Sequence, residues 1–253
     1  MTADPDKVRK LQQMGLGPVW QRRALQPDAP VVGAMASTAL DTASPLPEMM
    51  AAAELSTDAV NIKGLDWEML EESIRQCTRC GLCRDRTHAV PGTGDRKARW
   101  LFIGEGPGRQ EDLQGEPFVG PAGKLLDNML RALGLARGAN TYIANIVKCR
   151  PVGADGRDRP PAANEVAACL PYLARQIDLI QPDMIVALGK TAAVSLLGLP
   201  ADTSLTSLRG KAHSYGGRPL VVTYHPAYLL RQPADKAKSW RDLCQAMSLF
   251  NGG

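Results

Sequence analysis

At 253 residues, with a net charge of +4 and an isoelectric point near 8.8, the chain has room for one substantial domain plus an appendage and is only mildly basic. Its hydrophobic fraction of 44% is that of a globular protein, and no run of eighteen or more apolar residues occurs, which excludes a membrane-spanning helix of ordinary length. The N-terminal stretch lacks the apolar segment of a signal peptide, so a cytoplasmic protein of the bacterial cytosol or nucleoid type is expected.

Residues 1–65 read as a poorly ordered N-terminal extension and linker, and residues 66–253 as the folded domain. Residues 7–23 carry a short helical pattern (Val8, Leu11, Met14, Leu16) broken by Gly15, Gly17 and Pro18. Residues 26–61 are rich in Ala, Pro, Ser and Thr and have little to bury. Leu16 to Arg23, with Trp20, is the one part of the extension suited to docking on a partner or on the domain itself.

From Asp66 onward strands and helices alternate. Residues 67–75 predict a helix leading into a cysteine cluster, and residues 99–104 (RWLFIG) a first strand, followed by glycines and a helix over 122–133. Residues 141–147 form the second predicted strand. Val166, Leu170, Leu173, Ile177 and Ile180 then mark one face of a helix over 164–180. A third strand over 183–188 with a helix over 191–197, and a fourth over 219–224 with a last helix over 236–250, complete the series. The pattern predicts an α/β fold: a three-layer α/β/α sandwich around a central, mostly parallel four-stranded sheet. Ligands in such folds bind beyond the carboxyl ends of the strands. Attention therefore falls on Glu105, the segment 145–149, Gly189 and His225.

Two nucleotide-binding readings fail on spacing. The turn Gly104–Gly108 (GEGPG) would need glycine at Arg109 for a dinucleotide fingerprint, and Gly189-Lys190-Thr191 would need glycine at Met184 for a phosphate loop. The first remains a turn whose backbone amides can approach a ligand closely.

Six cysteines occur, and in a reducing compartment their clustering points to metal or redox chemistry rather than disulfides. Cys77-x2-Cys80 is a hook with distant partners at Cys149 and Cys169, a set that suits tetrahedral zinc or a [4Fe–4S] cluster. The later pair is too widely spaced for a second zinc-ribbon hook, which favours the cluster. Cys83 lengthens the hook, but Thr87 stands where a ferredoxin spacing would need another cysteine. Buried free thiols are the plainer alternative. Likewise Phe118 reads equally as core, Asn145 as a strand-end polar residue, and His225 before a proline as structural.

Taken together, GEGPGRQEDLQGEPFVGPAGKLL, NIVKCRP, a helix carrying a cysteine, ALGKTA and HPAYLLR resemble, in this order, the family 4 (iron–sulfur) uracil-DNA glycosylases over about residues 74–249. The resemblance implies a monofunctional glycosylase that flips uracil out of DNA and hydrolyses its N-glycosidic bond, initiating base excision repair. It implies cluster ligands at Cys77, Cys80, Cys149 and Cys169, with Cys83 and Cys244 outside the set. The implied uracil pocket is Gly104, Glu105, Gly106, Phe118, Asn145 and His225, with Glu105, Asn145 and His225 catalytic. Phe118 supplies a stacking wall, Asn145 pairs with O4 and N3–H, and His225 donates to O2 of the departing base. Glu105 positions water or steadies the sugar cation, with Glu111 and Asp112 either assisting or capping the turn.

Residues 227–231 resemble a loop that fills the gap left by the extruded nucleotide, with Leu229 and Leu230 as wedges and Arg231 as a phosphate contact. Lys236, Lys238 and Arg241 are further candidates for backbone contacts. The implied partner is uracil-containing DNA, single- or double-stranded, bound by a monomer, with the N-terminal extension a candidate docking segment for a repair or replication protein. Residues 152–161 (VGADGRDRPP) are longer than the family pattern and could face DNA. They carry no histidine, unlike uracil-trapping relatives. Two rivals remain: a non-catalytic DNA-binding or polymerase-associated iron–sulfur module, and a broader deaminated-base glycosylase.

Overall fold

The computed structural model describes residues 61–252. The N-terminal extension expected over residues 1–65 lies outside the described residues up to residue 60. Residues 61–65 already pack on the domain: Ile62 is buried, and the Leu65 carbonyl accepts a hydrogen bond from Arg175 Nε at 2.7 Å.

Four strands, β2 (Trp100–Gly104), β3 (Thr141–Asn145), β4 (Met184–Leu188) and β6 (Arg218–Thr223), run parallel in the order β3-β2-β4-β6. The first three are buried at every position, as strands covered on both faces must be, and two of them, WLFIG and MIVAL, read as unbroken apolar runs. The sheet has six strands rather than the expected four. β1 (Thr93–Gly94) and β5 (Ala212–Tyr215) add antiparallel edges to β3 and β6. The correction has simple causes. β1 is too short for a period to register, and β5 alternates only between exposed and half-buried side chains. The turn joining β5 to β6 is Gly216-Gly217, both with positive φ (55° and 78°), the backbone demanded by a two-residue hairpin.

Helices cover both faces. Leu101 and Ile103 face one core with α1 (Trp67–Arg75), α4 (Ala163–Ile180) and α5 (Lys190–Leu197). Trp100 and Phe102 face the other with α3 (Pro121–Ala132) and α8 (Lys236–Asn251). Short helices α2 (Arg109–Gln114), α6 (Leu205–Leu208) and α7 (Pro226–Arg231) complete the set. In α1, Asp66 caps the N-terminus through its bond from the Met69 amide, and Leu70 and Ile74, four residues apart, supply the buried stripe.

The chain passes from β2 to β3 on one side and returns to place β4 on the other. This reversal opens a crevice at the carboxyl ends of β2 and β4, the usual ligand position in open α/β sheets.

Candidate active site

Register brings the strand ends level: Gly104 pairs with Asn145, and Leu188 with Thr223. The turn after β2 is pinned to the continuation of β3, because the amides of Ile146 and Val147 donate to the carbonyls of Gly104 and Glu105 at 3.0 and 3.1 Å. The result is a cleft of about 550 Å³, a size for one small ligand, whose walls include Glu105, Gly106, Phe118, Asn145 and His225. The expected pocket residues thus converge at one place. Gly104 lies directly behind them: a Cβ there would stand 2.6 Å from Phe118 Cζ and would also collide with Asn145 Oδ1. Only glycine lets the strand approach both side chains so closely.

Asn145 is 2% exposed, and its Oδ1 is a buried side-chain oxygen with no hydrogen-bond partner. A buried acceptor left unpaired costs roughly 1–3 kcal/mol, so the site holds an unmet demand for a donor. The main chain beneath it is held firmly. Lys148 Nζ donates to the Asn145 carbonyl at 2.9 Å and to Gln176 Oε1 at 2.6 Å, and burial pulls that ammonium down to about 8.

His225 caps α7 and precedes its first-turn proline. Its Nδ1 accepts from the Ala227 amide at 3.2 Å, which leaves the proton of the neutral ring on Nε2. Burial, reinforced by the Arg231 charge, pulls the imidazole down to about 4, so it is neutral at physiological pH. Phe118 packs its ring against His225 with centroids 5.5 Å apart and planes 28° from parallel. Its backbone sits at φ 57°, a left-handed conformation that costs a residue with a bulky side chain roughly 1–3 kcal/mol. Glu105 is half-buried, and its Oε2 accepts a hydrogen bond from the Thr191 hydroxyl at the start of α5.

Several expectations are resolved by placement. Glu111 and Asp112 brace backbone: Glu111 Oε1 accepts from the amides of Val119 and Gly120, and Asp112 accepts from those of Thr87 and His88. Residues 227–231 belong to helix α7 rather than to a loop, and on it the paired-wedge expectation fails for Leu229. Neighbouring helical positions cannot share a face. Leu229 is fully buried in the core, whereas Leu230 is 44% exposed and Arg231 lines the cleft with Arg109 and Lys190. Lys238 pairs with Asp235, and together with Arg241 it borders a separate hollow beside Arg209. Lys236 is largely buried. The segment 152–161 folds back through a Val152–Asp158 bridge, and Asp158, Arg159 and Pro160 reach the cleft wall.

Cys77, Cys80, Cys149 and Cys169 join the core on the sheet face covered by α1 and α4, whereas Phe118 belongs to the opposite one. Cys77, Cys80, Cys83, Cys149 and Cys169 all line one cavity, and no disulfide links them. Among the described residues no group of His, Cys, Asp and Glu is placed to hold a metal ion by itself. The thiols close around a cavity of about 10 Å³, room for little more than a water molecule. Two donors point at their sulfurs: Arg86 Nη1 to Cys149 Sγ at 3.1 Å and the Lys148 amide to Cys169 Sγ at 3.2 Å. Such N–H bonds favour thiolates, against burial that pushes the Cys169 thiol up to about 12 and raises Cys80 and Cys149 as well. By their chemistry, thiol donors gathered on one cavity suit iron–sulfur or zinc ligation. Cys244 is exposed on α8 and does not line this cavity.

Sequence reasoning did not anticipate Thr191, Lys148, Arg86 or Arg137 as supports of the site. Their signal was weak: Thr191, Arg86 and Arg137 act through partners distant in sequence, and Lys148 through a main-chain carbonyl that no side-chain pattern marks. The helix start at Thr191 was in view, but as the first residue of a predicted helix and the tail of a rejected phosphate loop, not as a partner of Glu105.

The model for the "Uracil DNA glycosylase superfamily" matches residues 91–244. The chain is 42% identical to the type-4 uracil-DNA glycosylase of Pyrobaculum aerophilum over 75% of this chain and 95% of that protein. It is 43% identical to that of Thermotoga maritima over 68% and 86%, and 43% identical to that of Sulfurisphaera tokodaii over 66% and 76%. With the cleft, the cysteine cavity and the strand order found together in one domain, the chain belongs to the uracil-DNA glycosylase superfamily and, within it, to the type-4 uracil-DNA glycosylases.

Proposed function

We propose that this protein excises uracil from single- or double-stranded DNA by hydrolysing its N-glycosidic bond, as a cytosolic monomer acting at the first step of base excision repair. The observation that carries the reading is the buried, unpartnered Asn145 Oδ1 beside Phe118 and a neutral His225. A base inside a duplex cannot reach this cleft, so the nucleotide must be extruded into it. Uracil N3–H then supplies the donor that Asn145 Oδ1 lacks, while the side-chain amide donates to O4. Cytosine presents the opposite pattern at both atoms. Phe118 offers the aromatic wall, and Leu230 and Arg231 at the exposed end of α7 are placed to fill the gap and to meet phosphate.

When the C1′–N1 bond breaks, its electron pair leaves with uracil and the sugar gains positive character. His225 Nε2–H donates to O2, where negative charge gathers. Glu105, held by Thr191, orients the water that attacks C1′ and steadies the positive sugar. Mere DNA binding would require none of these groups, which is the case against a non-catalytic module.

Cys77, Cys80, Cys149 and Cys169 would hold a [4Fe–4S] cluster. When bound, it ties the hook after α1, the exit of β3 and helix α4 into one unit beside the active-site strands. Cys83, on the same cavity, is the alternative ligand to test. Protein purified anaerobically is expected to show broad visible absorption with iron and sulfide in equal amounts. Cys169→Ser is expected to abolish it and Cys83→Ser to preserve it; retention in the first or loss in the second would revise the ligand set.

The activity is tested by release of labelled uracil from single-stranded DNA and from mismatched duplexes, with hypoxanthine and xanthine substrates alongside. Release of uracil alone is the expected result. Absence of release would remove the reading, and excision of the purines at comparable rates would move the chain to a broader class of deaminated-base glycosylase. The N-terminal extension is proposed as a docking segment for a repair or replication protein.

A further inference from the structure

The ring of Phe118 faces the cleft from a backbone that a residue with a side chain adopts only under constraint. Three features impose it, and of their residues Arg137, Asp127 and Gly123 lie outside the cleft lining. The guanidinium of Arg137, nineteen residues downstream in the loop before β3, donates through Nη2 to the Phe118 carbonyl at 2.8 Å and through Nη1 to the Pro117 carbonyl at 2.9 Å. The same guanidinium is oriented by Asp127 on α3, whose Oδ1 accepts from Nε at 3.1 Å and lies 3.0 Å from Nη2. From the opposite side the Glu111 carboxylate accepts from the amides of Val119 and Gly120 at 3.0 and 3.1 Å. Beneath, helix α3 meets the Phe118 carbonyl at Gly123, where any Cβ would run into that oxygen.

Both peptide units flanking Phe118 are thus held through their carbonyls by the guanidinium, and the second also through its amide by the carboxylate. The peptide units flanking Phe118 cannot rotate back to a negative φ without breaking one grip or the other. Arg137 is suited to this task because one planar fork reaches two carbonyls and a carboxylate together, which a lysine cannot do.

We propose that Arg137 is a positioning residue for base recognition: it touches no substrate but holds Phe118 in the left-handed conformation that turns its ring into the stacking wall. The proposal rests on the uracil reading of the cleft, and its test separates the two.

Arg137→Met retains the apolar stem and removes every donor. It is expected to weaken inhibition by free uracil about 10-fold and to slow single-turnover excision about 10- to 100-fold, the range for losing hydrogen bonds from a charged group. Circular dichroism and the visible spectrum are expected to match those of the unaltered protein. Arg137→Lys is expected to recover little, and Asp127→Asn to show a smaller loss in the same direction.

The decisive readout is non-additivity. In a Phe118→Ala background, Arg137→Met is expected to cause no further loss, because the ring it positions is gone. Additive losses in the double variant, or full uracil affinity in Arg137→Met, would overturn the proposal. If instead the unaltered protein releases no uracil and binds none, the reading of the cleft fails before Arg137 is at issue. Should Arg137→Met not fold, Asp127→Asn in the same two backgrounds gives the same comparison: loss confined to the Phe118-containing protein supports the inference, and equal loss in both overturns it.

Discussion

Replacing His225 by alanine is expected to slow single-turnover uracil excision by about 10²- to 10³-fold, the usual loss for one donor aimed at developing negative charge. The expectation rests on the geometry of the ring. With Nδ1 committed to the Ala227 amide, Nε2 carries the proton of the neutral imidazole, and burial with the nearby Arg231 charge keeps the ring neutral down to about pH 4. A neutral donor can stabilise the uracil anion without first giving up its own proton. It also makes a pH signature. For the unaltered protein, kcat/KM is expected to show no inflection near 6.5, the ordinary histidine value, and to fall through His225 protonation only toward pH 4. A clear acid limb centred near 6.5 that vanishes in His225→Ala would show that the ring titrates normally and would contradict the burial argument.

The same shift has a stability consequence, and its sign is fixed. The folded ring binds its proton more weakly than the unfolded one, so the unfolded state gains protons first as pH falls below 6.5. Stability is therefore unaffected by this group above that value and declines between about 6.5 and 4, by about 3 kcal/mol in all at 1.36 kcal/mol per unit. Denaturant titrations at neutral pH and at pH 4.5 would read it. The difference between the two pH values is expected to shrink in His225→Ala, which has no ring to protonate.

Much of this arrangement was legible in the amino-acid sequence, for reasons that differ by element. The parallel strands were plain because burial on both faces writes continuous apolar runs such as WLFIG and MIVAL, and helix α4 because its core face repeats at helical spacing. The edges were not. β1 spans two residues, and β5 depends on β6 for its existence, although Gly216-Gly217 between them was a hairpin signal available to be read. Within the site, Phe118, Asn145 and His225 could be named because recurring phrases carry them. Leu229 and Leu230 could not be told apart while α7 was treated as a loop; a single turn of helix buries one and exposes the other. The supports were out of reach altogether. Arg137 meets Phe118, Thr191 meets Glu105 and Arg86 meets Cys149 across separations of 19, 86 and 63 residues, contacts that no local pattern encodes.

Asn145→Asp is expected to lower uracil excision by about 10²-fold and to narrow the preference for uracil over cytosine. The argument starts from the orphaned oxygen. Asn145 Oδ1 is buried without a partner, and its backbone cannot move to find one, being paired to Gly104 in the sheet and held by Lys148 at the carbonyl. In the free protein this is a standing cost; on the proposed reading uracil N3–H would relieve it, so part of the recognition energy would be stored before binding. An aspartate replaces the amide donor with a second acceptor, which faces uracil O4 and repels it, a loss on the scale of a buried hydrogen bond to a charged group, about 3 kcal/mol or about 10²-fold. Cytosine fares differently, since its N4 amino group donates where uracil accepts. Sites built to hydrogen-bond a substrate reject the mismatched analogue steeply because their own polar groups are left unpaired. The aspartate leaves each base with one match and one clash, at O4 for uracil and at N3 for cytosine, so the rate on cytosine-containing DNA should hold as that on uracil falls. A companion variant separates recognition from folding. Asn145→Leu, branched alike at Cγ and without a polar atom to bury, is expected to abolish discrimination while leaving the thermal midpoint near that of the unaltered protein. A midpoint well below that of the unaltered protein would mean that Asn145 serves the fold and not the base. Unchanged selectivity in Asn145→Asp would remove it from recognition altogether.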